Sequence, residues 1–308
     1  MRYNINNPMT KYSVSIVIPN WNGVYLMEKH LKGVLAAAPT AEIIIADDMS
    51  SDGSIEYIHK NFPGVIVVEG KKREGFAANV NRGVLKATGD VVILLNTDVE
   101  PEKGFLQPLL SHFDDQNVFA VGCLEKSWEN GKTILRGRGL AHWYRGFYVH
   151  TRGEVNASDT AWVSGGSGAF RRTMWNTLGG MDTLYNPFYW EDIDLSYRAR
   201  KAGWKIIFEP KSVVGHYHEE GKIKREYTAS DVQRISYRNQ FIFIWKNVSD
   251  RQILLANIFW TPIRLVQALL RKDFLMIQGY ILAVVRYLRI LSKRRIQSRL
   301  WNICDRNL

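Results

Sequence analysis

Carboxylates that follow directly on apolar β-type runs are the residues best placed to do chemistry in this chain. Asp98 comes just after DVVILLN (90–96), so a buried strand would deliver its carboxylate rigidly to a sheet edge. Hard cations such as Mg²⁺ or Mn²⁺ take oxygen ligands and keep only one or two protein carboxylates when a phosphorylated substrate completes the shell. Two other apolar runs end alike: SVSIVIP (13–19) leads into Asn20, Trp21, Asn22 and Gly23, and EIIIAD (42–47) brings Asp47 and Asp48. Any one of these reads equally well as a turn or a helix cap. Three polar ends on adjacent strands point to a single ligand-binding edge. Farther on, Glu191, Asp192 and Asp194 open a helical pattern over 190–202, directly behind NPFYW (186–190). Capping explains acids at a helix start, but proline and three aromatic rings also make a partly desolvated setting that suits a general base. His216 and His218 follow an apolar strand, where one could ligate a metal or both could be structural.

The elements that must position these groups alternate. SVSIVIP, EIIIAD, VIVVEG (65–70) and DVVILLN are continuous apolar runs, as expected of strands buried on both faces. Between them, 24–37 and 76–87 have helical spacing, and Asp52, Gly53 and Ser54 can open a helix from Ile55. The spacing predicts a further helix after Pro101, strands near 118–124 and 204–210, and a strand or loop in WVSGGSGAF (162–170). This βαβ alternation predicts an α/β fold with a mainly parallel sheet. Residues 1–12 read as a disordered lead-in and 127–160 as an insertion of undetermined fold; from Thr228 the chain reads as helix.

Composition narrows the function classes. The 308 residues are 46% hydrophobic and 23% charged, ordinary for a globular protein. The net charge of +11 is not evenly spread: residues 221–308 hold 17 Lys/Arg and 5 Asp/Glu, leaving 24 and 25 for residues 1–220. Two distant cysteines, Cys123 and Cys304, suggest neither a disulfide framework nor a zinc site. No GxGxxG follows the first strand and no GxxxxGK[ST] occurs, against a dinucleotide dehydrogenase or P-loop enzyme. Residues 165–168, Gly-Gly-Ser-Gly, lack the spacing of a hydrolase elbow.

The ordered blocks VSIVIPNWNG (14–23), ADDMSSDGS (46–54), EGFAANVNRG (74–83), GDVVILLNTDVEP (89–101), GGSGAFRR (165–172) and GGMDTLYNPFYWEDIDLSYRARKAGW (179–204) resemble glycosyltransferase family 2. The resemblance covers about residues 13–218. It implies a GT-A fold, a nucleoside-diphosphate sugar donor and an inverting transfer of a hexose or deoxyhexose. By position it implies Pro19, Asn20, Asp47 and Asp48 at the base and ribose, and Gly75 and Asn81 beneath the nucleotide. Asn96, Thr97 and Asp98 match the DxD-like motif, with Asp98 as ligand of a divalent metal and His216 as a second ligand. Asp192 matches the catalytic base, with Glu191 beside it. Asn96 departs from the motif's first acid, and Arg73 stands where many relatives have Asn. A sugar nucleotidyltransferase would need a Gly/Arg/Lys-rich triphosphate loop that PNWNG lacks; a non-catalytic nucleotide-sugar-binding protein is the other alternative.

The basic end carries two uncharged stretches, QILLANIFWTPI (252–263) and FLMIQGYILAVV (274–285), each shorter than the roughly 20 residues of a spanning helix. Bordered by arginines and lysines, they read as interfacial helices on an anionic membrane surface, or else as a helical subdomain packed on the core. A solvated strip of cations with stacking aromatics is missing, against nucleic acid. The expectation is a cytoplasmic enzyme, peripheral on the inner face of the cell membrane, with a glycan or lipid-linked glycan acceptor. Truncation after about residue 245 should then release it from anionic liposomes.

Overall fold

A computed structural model describes residues 11–129, 131–217 and 226–308. Residues 1–10 of the expected lead-in, and His218, lie outside the described residues. Four parallel strands form one half of the main sheet: β1 (Val14–Asn20), β2 (Glu42–Asp47), β3 (Ile66–Glu69) and β4 (Val91–Leu95), in the order β3-β2-β1-β4. Their apolar runs are continuous because helices cover both faces. Ile16, Ile18, Ile43, Ile45, Ile93 and Leu95 pack with Met27, Leu31 and Val34 of α1 (Val24–Ala37). The alternate residues Val17, Ile44, Ala46, Val92 and Leu94 pack with Ala77, Val80 and Val84 of α3 (Phe76–Lys86). Between these helices in sequence comes α2 (Ser54–Asn61).

The sheet continues past β4 in mixed sense. β5 (Val99–Pro101), β6 (Val118–Glu129), β7 (Lys132–Arg136), β10 (Ser167–Arg171) and β11 (Lys205–His216) complete nine strands. β10 runs antiparallel between β4 and β6, and β11 is parallel to β6. Of 162–170 only the end is strand, while 162–166 is loop. Within 127–160, β6 runs on into a pairing with β7, and a separate hairpin forms from β8 (Gly139–Tyr144) and β9 (Phe147–Arg152). Helices α4 (Leu106–Ser111), α5 (Arg172–Leu178) and α6 (Glu191–Lys201) complete this part.

The remaining helices are α7 (Ala229–Asn247), α8 (Arg251–Leu270), α9 (Phe274–Val284) and α10 (Tyr287–Gln297). They share a third core with the hairpin and α6, including Phe147, Tyr185, Trp190, Tyr197, Phe241 and Phe243. Buried charges join the same parts. Lys246 on α7 lies 2.8 Å from Asp182 and 2.7 Å from Asp194, and Lys201 on α6 lies 2.9 Å from Asp305. The helical end is thus packed on the half that carries α6 and the hairpin. Truncation after residue 245 would remove Lys246 and Asp305, leaving the buried Asp182 without its cation and the buried Lys201 without its carboxylate, so it tests folding as much as membrane release.

One expectation is corrected here. The 12-residue stretch 252–263 belongs to a single 20-residue helix, α8, long and apolar enough by length and composition to cross a membrane, with only 22% of its apolar window buried. Arg264 lies inside this helix, and one charge does not end a helix. α9 and the segment after it pass the same test jointly but are bent by 63°.

Candidate active site

A cavity of about 380 Å³ opens where β1, β2 and β4 end, at the edge where open α/β sheets bind ligands. Pro19, Asn20, Asp48, Gly75, Asn96, Thr97, Asp98, Glu191, Asp192 and His216 all line it. Asp47 and Asn81 do not; they hold its walls. Asp47 is fully buried and accepts hydrogen bonds from the Asn20 amide (2.8 Å) and the Ser50 backbone N–H (2.8 Å), stapling the loop after β2 to the end of β1. Asn81 donates to the Met181 carbonyl and accepts from its N–H, pinning the turn that leads to residues 182–190.

Asp48 accepts from the backbone N–H groups of Glu74 (2.9 Å) and Gly75 (2.8 Å), which fixes the start of α3. Gly75 has φ +89, and a Cβ there would stand 3.3 Å from the Pro187 backbone. Only glycine lets these two walls meet at that angle. Asn79 has no acidic signature in the sequence, yet its amide donates to the Ala46 carbonyl (2.7 Å) and ties α3 to the end of β2. Trp21, Arg73 and Tyr227 complete the rim, with the Arg73 guanidinium 3.4 Å from the centre of the Trp21 ring.

On the far side, His216 Nε2 lies 3.4 Å from Asp98 and Nδ1 lies 3.2 Å from Glu125. Burial disfavours the charged ring, but the Glu125 and Asp98 carboxylates outweigh it and push the imidazole up to about 10. Glu125 also accepts from the Ser167 hydroxyl. Sequence reading missed Glu125 because it sits in mid-strand, where only the pairing of β6 with β11 brings it to His216. Among the described residues no group of three or more His, Cys, Asp or Glu forms a metal site. To ligate a cation, His216 would give up its Nε2 proton while Nδ1–H stays on Glu125; the imidazole so freed and Asp98 then suit a hard divalent cation that takes the proton's place and draws its other ligands from phosphate oxygens.

Glu191 and Asp192 open α6 into the cavity, as the sequence predicts, whereas Asp194 turns inward to Arg198 (2.7 Å) and Lys246. Asp192 accepts from the Ile193 N–H (2.8 Å) and the Gly165 N–H (3.4 Å). Glu191 Oε2 is buried without a hydrogen-bond partner among the described residues. Burial, and then the charge of Asp192, push Glu191 up to about 8; burial also raises Asp192, against the backbone donors. The pair therefore shares a proton near neutrality, held mainly by Glu191. A carboxyl raised in the folded state binds more protons than its unfolded counterpart, so its contribution to stability is complete below about 4.5 and declines as pH rises towards 8. Glu191→Gln is expected to stabilise the fold little at pH 5 and clearly at pH 9, the difference in unfolding free energy reaching a few kcal/mol at ~1.4 kcal/mol per pKa unit; denaturant unfolding at the two pH values reads it. Equal gains at both pH values would remove the proton from Glu191.

The segment between Asp182 and this pair is held from α7. The buried Asn239 amide donates to the carbonyls of Tyr185 (3.1 Å), Phe188 (3.0 Å) and Tyr189 (2.7 Å), and Arg238 donates to that of Asn186 (2.7 Å). These helpers were not legible beforehand, since Asn and Arg inside a helical run carry no positional signature.

Residues 15–178, more than half of the chain, match the family model described as "Glycosyl transferase family 2". The N-acetylglucosaminyl-diphospho-decaprenol L-rhamnosyltransferase of Mycobacterium tuberculosis is 25% identical over 270 residues, covering 74% of this chain and 84% of that relative. Among solved structures, GalNAc-T7 with UDP, GalNAc and Mn²⁺ superposes with a TM-score of 0.62 at 22% identity, over 76% of this chain and 48% of that one. The mannosyltransferase PcManGT from Pyrobaculum calidifontis, in complex with GDP-Man and Mn²⁺, gives 0.57 at 17% identity, over 95% and 81%. The chain thus spans about half of the first of these structures and most of the second. It belongs to glycosyltransferase family 2, a glycosyltransferase of GT-A fold that works from a nucleotide-sugar donor.

Proposed function

We propose that the chain transfers a sugar, with inversion at the anomeric carbon, from a nucleoside-diphosphate sugar to a hydroxyl of a lipid-linked or polysaccharide acceptor. The observation that carries this reading is the placing of a metal-competent pair, Asp98 and His216, and a proton-sharing pair, Glu191 and Asp192, in one cavity. Asp192 takes the acceptor proton as the acceptor oxygen bonds to the anomeric carbon. The bond from that carbon to the diphosphate oxygen breaks, and the nucleoside diphosphate leaves with the electron pair. The backbone N–H groups of Ile193 and Gly165 keep Asp192 the more ionised of the two acids, while Glu191 holds the shared proton. Asp98 and His216 would hold a Mg²⁺ or Mn²⁺ ion, which when bound supplies charge stabilisation to the departing diphosphate. Pro19, Asn20, Trp21 and Arg73 form the wall taken by the nucleoside, and Asp47, Asp48 and Asn81 act by fixing that wall.

The lipid-linked acceptor is favoured by the mycobacterial relative, whose name specifies a diphospho-decaprenol substrate, and by the helical end. There α8 and α9 expose Leu255, Ile258, Phe259 and Ile281, and Arg264, Arg271 and Lys272 lie among them. This pattern suits peripheral attachment to an anionic membrane on its cytoplasmic face. The test is a panel of UDP-, GDP- and dTDP-sugars with Mn²⁺ or Mg²⁺, read as nucleoside diphosphate released. One donor should turn over, and Asp98→Asn should lower metal-dependent release by about 10²-fold or more, as expected when several kcal/mol of charge stabilisation is lost. Neither turnover nor binding across the panel would favour a non-catalytic protein.

A further inference from the structure

A second cavity, of about 390 Å³, lies between the 183–186 turn and α10. Its walls are Thr183 and Asn186 on one side and Arg286, Arg289, Ser292 and Lys293 on the other, with no carboxylate lining it among the described residues. The three cations are spaced i, i+3 and i+7, so they share one helix face. Asp182, just before this turn, is 1% exposed and already lies 2.8 Å from Lys246, with Lys293 at 3.8 Å. Arg238, which holds the Asn186 carbonyl, adds a further cation behind the same turn. Burial, and then the charge of Arg286, lower Arg238 to about 10; burial and Arg289 lower Arg286 in turn. Positive groups gathered at this cost, around space lined also by the Thr183 and Ser292 hydroxyls, complement a multiply charged anion, while the Asn186 amide is already given to the Glu74 carbonyl.

Position identifies the anion. The turn at 183–186 continues into Pro187, Phe188 and Tyr189, which line the catalytic cavity, and then into Glu191 and Asp192. Asn186 and Glu191 are five residues apart, at most ~18 Å along the chain. On the other flank, Val285 and Leu288 are exposed, 77% and 81%, beside the cations. A ligand seated here has a phosphate site between an apolar surface and the mouth of the catalytic cavity.

We propose that this basic cavity binds the diphosphate of a polyprenyl-linked acceptor, with the polyprenyl chain towards Val285 and Leu288 and the sugar towards Glu191 and Asp192. The proposal rests on the lipid-linked acceptor reading above and gives it a residue-level site.

The test uses the full chain and sedimentation with phosphatidylcholine vesicles carrying either undecaprenyl diphosphate or phosphatidylglycerol at matched surface charge. Wild type is expected to prefer the diphosphate vesicles about tenfold or more, given the usual strength of arginine and lysine contacts to anionic headgroups. R286Q/R289Q should lose that preference while still sedimenting with phosphatidylglycerol, and R295Q/R299Q, which removes equal charge outside the cavity, should keep it. Arg289→Gln alone, at an exposed position, should reduce the preference without affecting the melting temperature. Equal binding of wild type to both vesicles, or an unchanged preference in R286Q/R289Q, overturns the proposal. Inorganic pyrophosphate binding as tightly as the lipid diphosphate would assign the cavity to a free anion and overturn the lipid assignment. Donor binding, followed as protection of wild type by UDP, GDP or dTDP against thermal unfolding, tests the transferase reading separately; its failure with the vesicle preference intact would leave the diphosphate site standing.

Discussion

Asp192→Asn is expected to lower transfer on the order of 10²–10⁴-fold, the usual worth of a positioned general base, while donor binding stays within a few-fold of wild type. The amide oxygen can still accept from the Ile193 or Gly165 N–H, so the start of α6 keeps its shape. What disappears is the carboxylate of the 191–192 pair that is oriented by the Ile193 and Gly165 N–H groups. Its neighbour cannot simply replace it. Glu191 is raised by burial first and by the charge of Asp192 second; with that charge gone Glu191 ionises more readily, but its Oε2 has no donor to orient it. Residual activity in the variant should therefore be low and rise with pH, and Glu191→Gln in the same chain should remove it. The measurements are nucleoside diphosphate released per unit time across pH 5 to 9, and nucleotide protection against thermal unfolding for the binding arm. A variant that retains most of its rate would move the base role away from Asp192.

Much of this site is written in short-range patterns. Polar residues that end buried parallel strands must appear at one sheet edge, so Asn20, Asp48 and Asp98 share a cavity because β1, β2 and β4 are neighbours in one register. Glu191 and Asp192 were legible as acids at a helix start behind aromatic residues. The same local rule cannot separate an acid that faces the cavity from one that staples its wall. Asp47 and Asp48 are adjacent, yet Asp47 points to Ser50 and Asn20 while Asp48 takes the 74–75 backbone, a distinction set by loop closure. Longer-range supports were not legible at all. Glu125 reaches His216 through parallel strands some 90 residues apart in sequence, and Asn239 reaches three carbonyls about 50 residues upstream. At the helical end a count of uncharged residues marks 252–263 but not the length of α8, because arginine is a good helix former and Arg264 continues the helix while lying 3.8 Å from the centre of the Phe147 ring.

Those long-range supports carry the second large effect. Lys246→Met is expected to destabilise the protein by about 3–5 kcal/mol, the usual consequence of leaving a buried charge without its partner. Lys246 is completely buried between Asp182 at 2.8 Å and Asp194 at 2.7 Å. Asp194 would keep Arg198, the Tyr185 hydroxyl (2.8 Å) and the Asn247 amide (2.7 Å), but Asp182 would retain only Lys293 at 3.8 Å as a countercharge. In the wild type burial works against the Asp182 carboxylate, and Lys246, followed by Lys293, overcomes it and holds the group well below the usual carboxylate range. A depressed carboxyl contributes stability above its unfolded pKa of about 3.8 and loses it as pH falls through the lower folded value. Without Lys246 burial dominates and the folded pKa rises past the unfolded one, so protonation relieves the variant. Its deficit against wild type should consequently be smaller at pH 5 than at pH 8, and Asp182→Asn in the same chain should recover part of it. Denaturant unfolding at the two pH values reads both expectations. Because Asp182 and Asp194 bracket residues 183–190, the variant should also lose transfer in proportion to disorder of that segment, with Asn239 and Arg238 left to hold the carbonyls of Tyr185, Asn186, Phe188 and Tyr189. A deficit below about 1 kcal/mol that does not change with pH would mean that Lys246 is not the countercharge on which that segment depends.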